Sequence, residues 1–299
     1  MKQMLFIMNP RAGTKKANRH LTEIIDIFNR ADYRVWVHIT KEHGDATRIV
    51  TQYAEGMDAI VCCGGDGTFN ETLSGLMQAK LDIPIGYIPA GSTNDFANSL
   101  KLSSDVLTAA RHIAHGQPVA YDAGEFSNRF FSYVASFGAF TRASYATPQS
   151  VKNALGHTAY LLSGIQELSQ IRDIQVKLEL DGDTVEGRYI FGAVCNSTSV
   201  GGLLTLDPGQ VDMRDGKFEI LLVRAPKDLV EIAECIQAFQ NKTYNCNMVS
   251  FRSAQNVKVI MDSPVDWTLD GEQQPGLSQV EICNRHLAYR LLKESEDSL

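Results

Sequence analysis

Three short glycine-containing segments carry the residue types that bind phosphate: Asn9-Pro10-Arg11-Ala12-Gly13, Gly64-Gly65-Asp66-Gly67-Thr68-Phe69-Asn70-Glu71 and Pro89-Ala90-Gly91-Ser92-Thr93-Asn94-Asp95. Glycine lacks a Cβ, so its backbone can approach an anion closely, and the N–H groups at a helix start carry partial positive charge. Any one of these segments alone reads more simply as a tight turn; three in one chain point to a polyphosphate. The chain contains neither Gly-x-x-x-x-Gly-Lys-[Ser/Thr] nor a Gly-x-Gly-x-x-Gly after its first apolar run, which excludes the P-loop and dinucleotide-fold schemes. Asp66 would repel phosphate unless a divalent cation or a ribose hydroxyl intervened, and this points to a Mg-nucleotide or a sugar.

Two acidic clusters in the second half could supply the rest of a phosphoryl transfer. Leu269-Asp270-Gly271-Glu272 sets two carboxylates around a glycine; on its own it is an Asp-Gly hairpin turn, as Asp181-Gly182 also is. Asp212 and Asp215, with the Lys217 carbonyl beyond Gly216, are hard oxygen donors suited to Mg²⁺ or Ca²⁺, although a solvated acidic turn has the same composition.

The elements that position these residues follow from periodicity. Gln3 to Met8, Tyr33 to Thr40, Ala59 to Cys63 and Ile83 to Ile88 are strand-like. Between them lie helical patterns: Leu21, Ile24, Ile25 and Phe28 on one face, then Asp45 to Ala54 and Phe69 to Gln78. Repeated βα units with apolar strands imply a mostly parallel sheet covered on both faces, with ligands at the carboxyl ends of its strands. The three glycine segments should therefore converge at one edge.

Beyond about residue 120 the pattern is β-rich. Val119 to Phe126 and Arg129 to Phe137 flank the turn Ser127-Asn128, and Ile174 to Leu180 alternates in strict period two. Further strands are expected at 188 to 195, 218 to 223, 257 to 261, 265 to 269, 280 to 283 and 286 to 292, with helices over 158 to 169 and 228 to 240. The fold class is thus α/β: a parallel α/β nucleotide-binding domain over 1–120, a short boundary near Gln117-Pro118, and an antiparallel β-sandwich domain over 121–299 whose last residues pack back on the first.

The 299 residues, 44% apolar and 21% charged, exclude disordered and fibrous classes, and no apolar run is long enough to span a bilayer. The start of the chain is too short in apolar residues for a signal core, so a soluble, cytoplasmic protein is expected. Six cysteines without Cys-x-x-Cys spacing are expected to be reduced packing residues, with Cys62 and Cys63 on opposite faces of a strand. His112 and His115 sit at a helix end and are assigned to solvated surface. The net charge of −7 is uneven: the first 50 residues hold 9 Lys plus Arg against 5 Asp plus Glu. Arg11, Lys15, Lys16 and Arg19 could face phosphate or anionic lipid.

The Gly64-Gly65-Asp66-Gly67-Thr68-Phe69-Asn70-Glu71 segment, with Asn9-Pro10-x-x-Gly13 before it and Gly91-Ser92-x-Asn94-Asp95-Phe96 after it, resembles the catalytic domain of diacylglycerol, sphingosine and ceramide kinases. Gly201-Gly202, Asp207-Pro208, Asp212-x-x-Asp215-Gly216 and Leu269-Asp270-Gly271-Glu272 are similar to motifs of the soluble bacterial diacylglycerol kinases. The likeness covers nearly the whole chain, with Ser92 where the family usually has Thr and Pro208-Gly209-Gln210 where it has Pro-x-Ala.

The resemblance implies an ATP- and Mg²⁺-dependent lipid kinase. ATP would lie on Asn9, Pro10, Arg11, Ala12, Gly13, Thr40, Gly64, Gly65, Asp66, Gly67, Thr68, Phe69, Asn70, Ser92 and Thr93. Glu272 would be the general base, Asp66 would lie near the phosphate-bound ion, and Asp270 would hold neighbouring groups or metal-bound water. Asp212, Asp215 and Lys217 would carry a second, structural or regulatory ion. The partners implied are ATP and a lipid met at the membrane surface, with peripheral association during turnover and no nucleic acid; a homodimer is compatible with it. Phe137, Phe140, Tyr145 and Tyr160 to Leu162 could border an acyl-chain groove, or form core. The nearest alternatives are an NAD kinase, a phosphofructokinase-like sugar kinase, and a non-catalytic lipid-binding regulator on the same fold.

Overall fold

A computed structural model describes residues 1–13, 16–138, 173–200 and 204–294. The described chain forms two compact units: Met1–Tyr133, Met213–Gly216 and the chain from Arg285 on make the first, Val134–Asp212 and Lys217–Asn284 the second.

In the first unit, strands β1 (Lys2–Met8), β2 (Tyr33–Ile39), β3 (Ala59–Gly64) and β4 (Ile85–Pro89) alternate with helices. These are α1 (Lys16–Arg19), α2 (Leu21–Arg30), α3 (Asp45–Tyr53), α4 (Asp66–Ala79), α5 (Asp95–Ser99) and α6 (Val106–His115). The strands pair in parallel in the order β4-β3-β1-β2. Met4, Phe6, Met8 and Cys63 join Ile24 and Phe28 of α2 and Ala110 and Ile113 of α6 in one core. Cys62 points the other way, to Thr72 of α4. The neighbouring cysteines thus serve opposite faces, as strand geometry requires. All six cysteines are free, and burial pushes the Cys63 thiol up to about 12.

Strand β5 (Gln117–Phe126) turns at Ser127-Asn128 into β6 (Arg129–Phe131). The expected single strand 129–137 is interrupted at Ser132-Tyr133, and β7 (Val134–Gly138) belongs to the second unit. The units divide there, further along than Pro118, because β5 is held in the first unit by a buried carboxylate. Asp122 is fully buried; its Oδ1 accepts from the Leu287 N–H (2.7 Å) and faces His286 Nδ1 (3.0 Å), and its Oδ2 accepts from the Gly216 N–H (2.7 Å).

The second unit is antiparallel. Its strands are β7, β8 (Ile174–Leu180), β9 (Asp183–Cys195), β10 (Ser199–Val200), β11 (Leu204–Thr205), β12 (Phe218–Arg224), β13 (Val249–Ala254), β14 (Asn256–Leu269) and the first part of β15 (Glu272–Lys293). Both β9 and β14 change partner along their length, pairing with β8 at one end and β7 at the other. The expected strands 257–261 and 265–269 are one strand: a register shift between Ile260 and Val265 lets exposed Pro264 pass without giving up a ladder hydrogen bond. Likewise 280–283 and 286–292 are parts of β15. Helix α7 (Leu229–Gln240) is capped by Asp228, whose carboxylate accepts from the N–H groups of Val230 and Glu231. Among the described residues no helix is long and apolar enough to cross a membrane. The helix expected over 158 to 169 lies outside the described residues.

Candidate nucleotide-binding site

The three glycine segments meet at the carboxyl ends of β1, β3 and β4, and they meet through backbone. The Asn9 N–H donates to the Cys63 carbonyl (2.9 Å) and the Ala90 N–H to the Gly64 carbonyl (2.7 Å), which extends the ladder into the loops. A Cβ on Gly91 would stand 2.6 Å from the Gly65 Cα, and one on Gly13, which has φ +47°, would collide with the Ala90 carbonyl. Only hydrogen fits at these contacts.

Side chains lock this arrangement. Asn9 Nδ2 donates to Thr68 Oγ1 (3.1 Å), while its Oδ1 accepts from the Arg11 N–H (3.0 Å) and turns the first loop. Asn94, at φ +54°, accepts from the Gly91 N–H (2.9 Å) and donates back to the Gly91 carbonyl (3.0 Å). The Asp66 carboxylate accepts from the N–H groups of Asp95 (3.0 Å) and Phe96 (3.2 Å), and so caps α5. Nearby Tyr87 has its pKa raised well above the phenol range, chiefly by burial and then by the Asp66 charge, so it stays protonated.

Helix α4 has 14 residues and no side-chain cap at its N-terminus, where Gly65 is extended. Its first-turn N–H groups and macrodipole point out at the ring of loops, the arrangement that favours an anion. Arg11, Gly13, Ser92 and Thr93 are exposed around it. Thr40 is buried at the end of β2, its N–H donating to the Met8 carbonyl (2.9 Å). Of the expected contacts, Phe69 is not at this surface: its ring is fully buried against Phe96 (4.4 Å) and Tyr87 (4.9 Å), and its N–H closes the first helical turn on Gly65. Apolar area this large is drawn into the core rather than left at a rim. The Asn70 amide is turned to the Phe130 carbonyl (3.1 Å).

Glu272 lies in the second unit, half-buried, at the start of β15. It follows Asp270 (φ +49°) and Gly271 (φ +87°), a two-residue turn of the same hand as Asp181-Gly182 (φ +45° and +105°). The hairpin reading is therefore right for both pairs; burial is what separates them. Asp181 is exposed and accepts from the Gln255 and Asn256 N–H groups, whereas Asp270 is buried, its Oδ1 accepting from the Val134 N–H (3.0 Å) and its own N–H donating to the Val134 carbonyl (2.9 Å). Asp212, Asp215 and Lys217 have exposed side chains.

Two acidic residues have a role that the sequence did not assign, Asp122 and the Glu71 that closes the second glycine segment. Asp122 was foreshadowed only by being a charge within an apolar strand. Glu71, 15% exposed, accepts from the N–H groups of Gly44 (2.8 Å) and Ala46 (3.0 Å). Of the acyl-groove candidates, Phe137 is core, packed on Trp267 with ring centroids 4.9 Å apart. Phe140, Tyr145 and Tyr160 to Leu162 lie outside the described residues, as do Lys15, Gly201 and Gly202.

Residues 3–126 match the family model of the diacylglycerol kinase catalytic domain, and residues 134–287 match that of the YegS C-terminal NAD kinase beta sandwich-like domain. The chain belongs to the diacylglycerol kinase catalytic-domain family. It is 31% identical to a diacylglycerol kinase of Bacillus subtilis (strain 168), covering 100% of this chain and 99% of that one. It is 28% identical to a diacylglycerol kinase of Staphylococcus aureus (strain MRSA252), over 91% of this chain and 86% of that one. A diacylglycerol kinase structure from Bacillus anthracis str. Sterne shares the fold, with a TM-score of 0.77 and 22% identity over 100% of this chain and 98% of the other. Membership makes the protein an enzyme of the lipid kinase class, with ATP as phosphoryl donor.

Proposed function

We propose that the protein transfers the γ-phosphoryl group of ATP, as its Mg²⁺ complex, to the free hydroxyl of diacylglycerol, giving phosphatidate. The observation that carries this reading is the glycine-to-glycine contact of the loops around the uncapped start of α4. A cradle walled by backbone N–H groups, with the second and third loops meeting glycine to glycine, fits phosphate oxygens. Asn9 to Gly13, Thr40, Gly64 to Thr68, Asn70, Ser92 and Thr93 would hold the nucleotide, with Arg11 facing its charge.

Bound Mg²⁺ would neutralise the phosphate oxygens as charge shifts during transfer. Asp66 fits a place next to that ion because its negative charge stands among groups that otherwise attract anions. Exposed Asp212 and Asp215 and the Lys217 carbonyl suit a second divalent ion with a structural or regulatory role. Glu272 would accept the hydroxyl proton as the lipid oxygen attacks the γ-phosphorus. Asp270, buried and bonded to both backbone groups of Val134, would fix the turn that carries Glu272. The protein would meet its lipid from the cytoplasmic side as a peripheral protein, alone or as a homodimer.

Incubation with labelled ATP, Mg²⁺, NAD and a total lipid extract should place the label in phosphatidate; labelled NADP instead would favour the NAD kinase alternative. Glu272→Gln should fold, bind ATP and lose transfer by at least about a hundredfold, the lower end for a positioned general base. Unchanged turnover would refute that assignment.

A further inference from the structure

The segment after β2 is a fourth loop at the carboxyl edge of the parallel sheet, and its shape is imposed from outside. It starts at Thr40, tied to the end of β1 by the bond from its N–H to the Met8 carbonyl (2.9 Å). It ends at Gly44, which sits at φ +84° with open space where a Cβ would stand, so glycine is there for its backbone angle. Gly44 has no side chain to cap α3. The cap comes from α4: Glu71 Oε1 accepts from the Gly44 N–H (2.8 Å) and faces His43 Nδ1 (2.8 Å), and Oε2 accepts from the Ala46 N–H (3.0 Å). The Glu71 carbonyl also accepts from Thr47 Oγ1 (2.8 Å). Within the loop, the buried Asp45 carboxylate accepts from the Lys41 N–H (2.7 Å) and the Glu42 N–H (3.3 Å).

Helix α4 therefore extends two carboxylates to two neighbours. Asp66, in its first turn, caps α5 beside the third glycine loop; Glu71, more than one turn on, caps α3 and holds the loop after β2. The helix runs close enough to α3 that a Cβ on Gly75 would meet Val50 Cβ at 2.7 Å, so the Glu71 carboxylate reaches its amides from a rigid base. Bonds from backbone N–H groups to a carboxylate are charge-assisted and hold geometry more firmly than neutral ones.

From this geometry we infer that Glu71 is a positioning residue for nucleotide binding: it sets the loop from Thr40 to Gly44 in register with the three glycine loops. The inference rests on the ATP-dependent reading above and assigns Glu71 no contact with ATP. Its loss should weaken nucleotide binding and leave lipid binding alone, because the loop belongs to the unit that carries the phosphate cradle.

The test compares the full chain with Glu71→Gln, Glu71→Asp and Thr47→Val. Isothermal titration with ATP and Mg²⁺ and steady-state KM for ATP and for diacylglycerol in mixed micelles are measured on each, with hydrogen exchange at the Gly44 and Ala46 amides. Glu71→Gln should raise the Kd and KM for ATP about tenfold, the equivalent of about 1.4 kcal/mol, with the lipid KM unchanged and faster exchange confined to the α3 start. Glu71→Asp keeps the charge with a shorter reach and should fall between. Thr47→Val, which loses only a helix-to-helix bond, should bind ATP as the wild type does. Wild-type ATP affinity in Glu71→Gln, or equal increases in both KM values, would overturn the inference. Should the wild type itself bind no ATP, the functional reading fails and this role for Glu71 falls with it, whereas ATP binding that is unchanged in Glu71→Gln overturns the role alone; should Glu71→Gln fail to fold, the same measurements on Glu71→Asp decide.

Discussion

Gly91→Ala is the sharpest probe of the cradle. Gly91 faces Gly65 across the gap between the second and third loops. An added Cβ would lie 2.6 Å from the Gly65 Cα, about 0.8 Å short of the 3.4 Å where ordinary contact begins, and 2.7 Å from Asn94 Oδ1. The nearer obstruction is backbone and the second is a side chain held by its two bonds to Gly91, so the loops must part by nearly that distance or the Asn94 clamp must open. Overpacking of this kind costs about 1–3 kcal/mol of stability. A misplacement of about 1 Å at a phosphate-positioning site costs on the order of a hundredfold in kcat/KM. Steady-state kinetics well below the melting temperature, with ATP titration calorimetry, separate the two effects. Two further substitutions calibrate the result. Gly65→Ala brings its Cβ to 3.3 Å from the Gly91 Cα and should be milder. Gly44→Ala has open space around it but φ +84°, and should lose about 1–2 kcal/mol of stability through the left-handed backbone alone. If Gly91→Ala binds ATP and turns over like the wild type, the contact between these loops does not shape the phosphate site.

Two predictions concern stability. Asp122→Leu leaves the buried Gly216 N–H and the part-buried Leu287 N–H without their acceptor and should cost at least about 1 kcal/mol, at about 1–3 kcal/mol for a buried orphaned group; a change below about 0.5 kcal/mol in urea unfolding, the range of an ordinary surface substitution, would contradict the role given to this carboxylate. The hydrogen bond from Arg48, followed by the Lys41 N–H, holds the Asp45 carboxyl below its ordinary pKa. The folded group then titrates below the unfolded one, so this stabilisation is complete above about pH 4, the unfolded value, and is lost as the pH falls through the lowered folded value. Asp45→Asn should therefore lower stability at neutral pH and flatten the acid limb of the stability profile, as denaturant unfolding from pH 7 down to pH 2 would reveal; an unaltered acid limb counts against it.

Much of the fold is legible in the residues. Fully apolar runs such as Ala59 to Cys63, between helical patterns, specify buried parallel strands, and strict alternation over Ile174 to Leu180 specifies a strand with two unlike faces. What periodicity missed were continuities and interruptions. Asp262-Ser263-Pro264 looks like a strand end, but a bulge carries β14 through it. Arg129 to Phe137 looks like one strand, but its two parts find partners in different units.

The glycine loops were legible because their chemistry is local: a backbone that must approach phosphate or another backbone has to be glycine, and the residue type records that need. What each acidic side chain does was not legible, since Asp66, Glu71, Asp122, Asp181 and Asp270 are alike in type and each sits among ordinary neighbours in the chain. The partners of Asp66 lie 29 and 30 residues away, those of Glu71 25 to 28, that of Asp270 136. Hydrogen bonds across such separations form only once helices and strands have packed. The chain by itself thus determined where backbone could come close, while tertiary packing decided which carboxylates cap a helix, clamp a strand or stay exposed, because that choice depends on which N–H groups packing brings within about 3 Å.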